Sequence, residues 1–176
     1  MATGMDILPV APDHIPALAA LASGTFTTTF GHLYPAEDLA AFLEKSYNPD
    51  TLLAETQDPR HFWRMAWDDG RALGYLQCGP VGLPHPDADP AREGELKRIY
   101  VLKAAQGQGL GKALMEIAMA YLAERYGKAP QWIGVWSQNF KAQGLYGAYG
   151  FERAGAYQFK VGQTRDDEYI LRRVPV

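Results

Sequence analysis

Two kinds of apolar spacing run along this chain. Spacing of three and four residues predicts helices over Asp13 to about Thr28, Pro35 to Ser46, and Leu110 to Tyr126. In the second of these, Leu39, Phe42 and Leu43 share one face. Pro16 falls near the first turn of the first helix, where proline is tolerated. A shorter helix opens at Asn139, a good N-cap, with Ala142, Leu145, Tyr146 and Tyr149 at helical spacing and Gly150 at the C′ position. Strands are predicted at Met5–Val10, Phe62–Trp67, Arg71–Cys78, Glu95–Leu102, Gln131–Trp136, Tyr157–Val161 and Glu168–Val174. In the fourth, Leu96, Arg98, Tyr100 and Leu102 alternate with Lys97, Ile99 and Val101. Asp68-Asp69-Gly70 reads as a hairpin turn. Val81 to Gly94, with Pro84, Pro86 and Pro90, reads as a loop or bulged insertion. The fold class is α/β (α+β), with a mixed sheet of about seven strands and about four helices, in a single domain spanning 1–176.

Between a strand and a helix lies Gln106-Gly107-Gln108-Gly109-Leu110-Gly111-Lys112. A glycine-rich turn that opens a helix leaves backbone N–H groups unpaired and pointing outward. The helix dipole adds partial positive charge, so the place suits a phosphate. Two familiar phosphate loops do not fit. The P-loop pattern would put Gln106 at its first glycine and Ala113 at its Ser/Thr, so no hydroxyl is available for Mg²⁺. The dinucleotide fingerprint, counted from Gly107, would need glycine at Lys112.

Gln106-x-x-Gly109-x-Gly111 resembles the Q/R-x-x-G-x-G/A loop of the GNAT superfamily of N-acetyltransferases. Asn139 to Phe151 resembles that family's second motif, N-x-x-A-x-x-x-Y-x-x-x-G-F. The order of elements is also similar: strand, two helices, three strands, cofactor strand, helix, strand, helix, two strands. The resemblance implies a GNAT-type acyltransferase fold and acetyl-coenzyme A as co-substrate. It implies that Gln106 to Lys112 meet the pyrophosphate, mainly through backbone N–H groups. It implies that the backbone of Ile99, Tyr100 and Val101 pairs with the pantetheine arm like an added strand. Asn139 then adds a cofactor contact to its capping role.

Acetyl transfer to an amine sets chemical requirements. The amine is cationic at pH 7 and must lose a proton before it attacks. The leaving thiolate gains from a proton donor. By its place in the second motif, Tyr146 is the candidate general acid; its spacing to Ala142 and Tyr149 fits core packing as well. Glu95, eleven positions before Gln106, stands where the resemblance puts the common base. It reads equally as a strand-end carboxylate paired with Lys97 or Arg98. Cys78 has no histidine near it in sequence, so direct attack in a ternary complex suits the chain better than a covalent enzyme intermediate.

For the acceptor, the whole chain is most similar to bacterial polyamine (spermidine/spermine) N-acetyltransferases of that superfamily. The similar residues include Glu95 to Leu102, Gly134-Val135-Trp136, and the tail around Asp166-Asp167-Glu168. A polyamine site needs carboxylates and aromatic faces. Glu37, Asp38, Asp166, Asp167 and Glu168 could supply the first, and Phe30, Tyr34 and Trp136 the second. The tail run also reads as a solvated turn. The alternatives are a protein N-terminal or lysine acetyltransferase, and a non-catalytic module that binds acyl-coenzyme A.

Composition narrows the rest. A net charge of −3 argues against a general nucleic-acid surface and is compatible with cationic substrates. A single cysteine excludes an internal disulfide. His14, His32, His61 and His85 are scattered without metal-ligand spacing. No apolar run approaches a membrane span, so the expectation is a cytoplasmic protein without membrane or nucleic-acid partners. Many members of the superfamily are dimers; a homodimer is allowed here, without an interface signature.

Overall fold

The computed structural model describes residues 4–176. One sheet of seven strands runs through it: β1 (Asp6–Pro9), β2 (Phe62–Asp68), β3 (Arg71–Pro80), β4 (Gly94–Val101), β5 (Gln131–Trp136), β6 (Glu152–Val161) and β7 (Thr164–Arg173). Their order across the sheet is β1-β2-β3-β4-β5-β7-β6. Every neighbouring pair is antiparallel except β4 and β5. A parallel pair needs a crossover helix, and α4 (Leu110–Tyr126) supplies it.

Helices cover both faces. α4 buries Leu114, Met115, Ala118 and Leu122 against Leu76, Leu96 and Ile133, joined by Tyr146 of α5 (Phe140–Ala148). The other face holds α1 (Ile15–Phe30), α2 (Ala36–Tyr47) and α3 (Pro49–Gln57). α1 buries Leu18, Leu21, Ala22, Phe26 and Phe30, the stripe its spacing predicts.

The four expected helices and seven strands are all present, with differences. α3 is an extra helix that the apolar spacing does not announce. Its start is nonetheless marked: Pro49 occupies the first turn and the Asn48 side chain accepts from the Thr51 N–H at 2.8 Å. Two strands rather than three lie between the helices and the cofactor strand. The Asp69-Gly70 turn has both residues at positive φ (47° and 75°), as a two-residue hairpin loop requires. The acidic tail run is not a turn. β7 begins at Thr164, so Asp166 and Glu168 are buried on one face while Asp167 is exposed on the other.

The fourth strand also departs from simple alternation. Gln77 of β3 faces Arg98 and Cys78 faces Leu96, so Lys97 is an extra residue, a β-bulge. Side-chain parity flips there. Leu96, Ile99 and Val101 all meet the α4 face, whereas Tyr100 packs with the α1 cluster.

Candidate active site

The bulge at Lys97 lies at the level where β4 loses its partner on the other edge. β4 and β5 pair at Gly94–Gln131, Glu95–Trp132 and Leu96–Ile133, then part. Among the described residues, the edge facing β5 has no strand partner from Lys97 to Val101. A cavity of about 660 Å³ fills this fork and passes through the sheet. It joins the loop at the start of α4 to a chamber under α1 and α2.

At one end, Gly107 and Gly109 have φ of +81° and +83°. Side chains rarely adopt that conformation, which explains glycine at both positions. Gly109 caps α4 with no side-chain acceptor. Among the described residues, the N–H groups of 107 to 112 donate to no backbone carbonyl. A Cβ added at Gly107, Gly109 or Gly111 would meet nothing within 4 Å, so the space before those donors is open. Lys112 and Lys141 line the same mouth, with the Lys141 Nζ 3.5 Å from the Gln106 Oε1. Donors, dipole and two ammonium groups together suit a pyrophosphate. Lys141 was not among the sequence candidates; only its place in the second motif could have marked it.

Most predicted cofactor residues converge on this cavity. Ile99, Tyr100, Val101, Gln106, Gly107, Gly109, Gly111, Lys112, Asn139 and Tyr146 all line it. Two do not. Gln108 is exposed beside it, and the Leu110 side chain is buried in the core beneath α4. Leu110 can contribute only its backbone. Asn139 caps α5, its side chain accepting from the Ala142 N–H at 3.1 Å. The Gln143 Nε2 donates to the carbonyls of Trp136 (3.2 Å) and Ser137 (3.0 Å), which ties α5 to the end of β5.

Tyr146 stands on α5. Its ring is buried and lines the cavity. Burial pushes its phenol up from the ordinary value, so it holds its proton at neutral pH. Glu95 is placed differently. It does not line the large cavity but a smaller pocket of about 300 Å³, with Glu55, His61 and Lys97. Its Oε1 accepts from the Gly82 N–H at 2.8 Å and lies 3.4 Å from the Lys97 Nζ. Burial raises its pKa, and Lys97 and the Gly82 N–H oppose that. Cys78 is fully buried and its thiol is pushed up by burial, so it is no nucleophile.

At the other end, Phe30, Tyr34 and Trp136 all line the chamber, joined by Phe42, Tyr47 and Phe159. The carboxylates are fewer than the composition offers. Of Glu37, Asp38, Asp166, Asp167 and Glu168, only Glu168 lines it. Glu37 and Asp167 are exposed, and Asp38 packs against Gly162 in the β6–β7 turn. Asp166 is buried behind Tyr34, whose hydroxyl donates to it. Arg98 also lines the chamber, stacked over Tyr47 at 5.1 Å and 3.6 Å from the Glu55 carboxylate. Among the described residues, no helix is long and apolar enough to cross a membrane.

Comparisons with known proteins agree with this arrangement. The profile of the acetyltransferase (GNAT) family matches residues 18–151. The chain is 34% identical over 174 residues, 99% of each chain, to an uncharacterized N-acetyltransferase in the pepI 3′ region of Lactobacillus delbrueckii subsp. lactis. It is 30% identical over 156 residues to an uncharacterized N-acetyltransferase of Mycobacterium bovis, covering 89% of this chain and 94% of that one. Its fold is similar to that of the PaiA N-acetyltransferase of Thermoplasma acidophilum in complex with coenzyme A, with a TM-score of 0.76, 17% identity, and coverage of 97% and 99%. It is also similar to the ribosomal-protein-S18-alanine N-acetyltransferase of Escherichia coli, with a TM-score of 0.69, 22% identity, and coverage of 98% and 96%. The chain belongs to the GNAT family of N-acetyltransferases, enzymes whose co-substrate is acetyl-coenzyme A.

Proposed function

We propose that this enzyme acetylates the primary amine of a small cationic molecule by direct attack in a ternary complex. The observation that carries the reading is the single continuous cavity. Coenzyme A enters at the glycine loop, the amine at the aromatic chamber, and their reacting ends meet at the fork beside Tyr146. Tyr146 is the proton donor for the leaving thiolate, since its raised pKa keeps the phenol protonated.

The chamber supports a small acceptor over a protein chain. It is roofed by Phe26, Phe30 and Phe42 and floored by the sheet. Aromatic faces suit an alkylammonium stem, and one carboxylate suits one ammonium group. A polyamine would find a charged partner for its reacting end only. The best acceptor is therefore an amine with a single cationic head on an apolar body, and polyamines are the weaker members of the class.

A thiol-release assay with acetyl-coenzyme A tests this. Phenethylamine, spermidine and an alanine-ended hexapeptide would be compared at pH 8. The expected order of kcat/KM is phenethylamine, then spermidine, then peptide. A peptide preferred over both amines would move the acceptor out of the chamber and favour a protein-acetylating enzyme. Coenzyme A binding without turnover of any of the three would leave a non-catalytic acyl-coenzyme A module.

A further inference from the structure

We propose that Glu168, not Glu95, is the catalytic carboxylate that receives the acceptor's ammonium group and takes its proton. This assignment rests on the small-amine reading of the chamber. Three observations carry it.

The first is position. Glu168 faces Trp136 of β5 on one side and Tyr157 of β6 on the other, in a single cross-strand rung. Trp136 lies beyond the point where β5 leaves β4, so this rung borders the open fork. Its side chains point to the α1 face, where Trp136 and Phe159 pack with the α1 cluster. Among the described residues, Glu168 is thus the one acidic side chain lining the cavity that Tyr146 also lines.

The second is the lack of a competing partner. No hydrogen bond or ion pair holds the Glu168 carboxylate among the described residues, although it is only 7% exposed. The charged and titratable groups around it are few. Asp166 stands two residues along β7 and is bound by Tyr34. Tyr157 faces it from β6, Lys97, Arg98 and Tyr100 line the cavity from β4, Tyr146 lines it from α5, and Lys112 and Lys141 line its mouth. His32 packs edge-on to Trp136, 6.2 Å between ring centroids. Arg98 is engaged by Glu55 and Tyr47. Glu95, by contrast, is held by Lys97 and the Gly82 N–H, where it pins the start of the Val81–Gly94 loop, and it lines only the smaller pocket on the other side of Lys97 and Arg98, which border both spaces.

The third is proton affinity. Burial, with Asp166 nearby, pushes the Glu168 carboxyl up to about 7. The same desolvation lowers the pKa of an ammonium group in the chamber, so the two converge and proton transfer becomes easier. The ammonium gives its first proton to Glu168, which passes it to solvent. The nitrogen lone pair bonds to the thioester carbonyl carbon, and the carbon–sulfur bond breaks. Tyr146 protonates the departing sulfur and regains a proton from the same nitrogen. The products are the amide, the free thiol and one released proton.

The test measures kcat and kcat/KM from pH 6 to 9.5 with acetyl-coenzyme A and phenethylamine, for the unaltered enzyme, Glu168→Gln, Glu168→Asp and Glu95→Gln. Coenzyme A affinity by calorimetry checks that each variant is folded. In the unaltered enzyme, kcat/KM should rise with pH through neutrality, since the deprotonated carboxylate is the active form. Glu168→Gln should lose on the order of 100-fold in kcat at pH 7, lose that limb, and keep coenzyme A affinity within about threefold. Its remaining rate should climb toward the amine's own ionisation. Glu168→Asp should restore the limb at a lower kcat, and Glu95→Gln should retain it. A limb that survives in Glu168→Gln and vanishes in Glu95→Gln would overturn the assignment and leave the small-amine reading standing. A folded enzyme that binds coenzyme A and acetylates neither phenethylamine nor spermidine would overturn both.

Discussion

Around the glycine loop the cavity is walled by backbone, and across the fork it is walled by side chains. The proposed cofactor end offers the N–H groups of 107 to 112, two glycines at positive φ and a free strand edge on β4. The proposed acceptor end is lined by Phe30 and Tyr34 from the end of α1 and the turn after it, Trp136 from β5, Tyr157 from β6 and Glu168 from β7. A backbone wall recognises what every acetyl-coenzyme A shares, and it tolerates little change because its conformation is the site. A side-chain wall can be rewritten one residue at a time without touching the fold. That division explains how one scaffold can keep its co-substrate while acceptors change.

The two ends meet at Tyr146, and replacing it should produce the largest effect. Tyr146→Phe removes the proposed proton donor and leaves a ring of almost the same shape. Turnover should fall on the order of 100-fold or more, while coenzyme A affinity stays within a few-fold. Thiol release and calorimetry on the same preparation read both. Unchanged turnover would mean that Tyr146 is only a core aromatic.

What could be read from the sequence divides along the same line. The loop, the Asn139 cap, the Gly150 stop and the Asp69-Gly70 hairpin follow local rules in which residue type and backbone conformation are tied. Each appears where the sequence places it. The acceptor end follows register. Whether Glu168 faces the chamber depends on where β7 begins and how it pairs with β5 and β6, and both are non-local. The bulge at Lys97 hides for a related reason. Residues 96 to 102 alternate plausibly with or without it, so only the pairing with β3 reveals the parity flip that separates Leu96 from Arg98. α3 escaped the sequence reading because its apolar face is weak, with Leu52 alone buried, and only its Asn48-Pro49 start carries a local signal.

The acceptor end can be probed through stability as well. A carboxyl held at about 7 against an ordinary 4.5 means that the folded state binds this proton more tightly than the unfolded chain. The stability Glu168 contributes is therefore complete below about pH 4.5 and is lost as pH rises through 7. That loss is at most about 3 kcal/mol, from 1.36 kcal/mol per pKa unit. Glu168→Gln carries no such penalty. Its thermal midpoint should match the unaltered protein at pH 4 and exceed it at pH 8. Equal midpoints at both would mean that solvent reaches the carboxylate freely and that the chamber is wetter than its walls indicate.

The backbone end should respond to Gly109→Val. A β-branched residue at φ +83° costs about 1–3 kcal/mol of strain, although nothing occupies the space its Cβ would take. The loop relieves that strain by turning its N–H groups away. Coenzyme A affinity should fall about 10- to 100-fold, whereas KM for the amine at saturating co-substrate should barely move. A change confined to the amine KM would contradict the division between the two ends.

Asn139 gives the smallest effect and the sharpest question, because it is a side chain within the backbone-built end. Its oxygen caps α5 through the Ala142 N–H, and α5 has only nine residues to hold Tyr146 in place. Asn139→Ala should cost about 1 kcal/mol in stability. It should also lower kcat a few-fold, as fraying of α5 loosens the proton donor. Asn139→Asp keeps a capping oxygen and should recover the thermal midpoint and most of kcat. Coenzyme A affinity then separates two roles. If it returns with the midpoint, Asn139 serves only as a cap and the cofactor end is backbone throughout. If the midpoint returns and the affinity does not, the amide itself meets the co-substrate, because a carboxylate beside the anionic coenzyme A would repel what the amide binds.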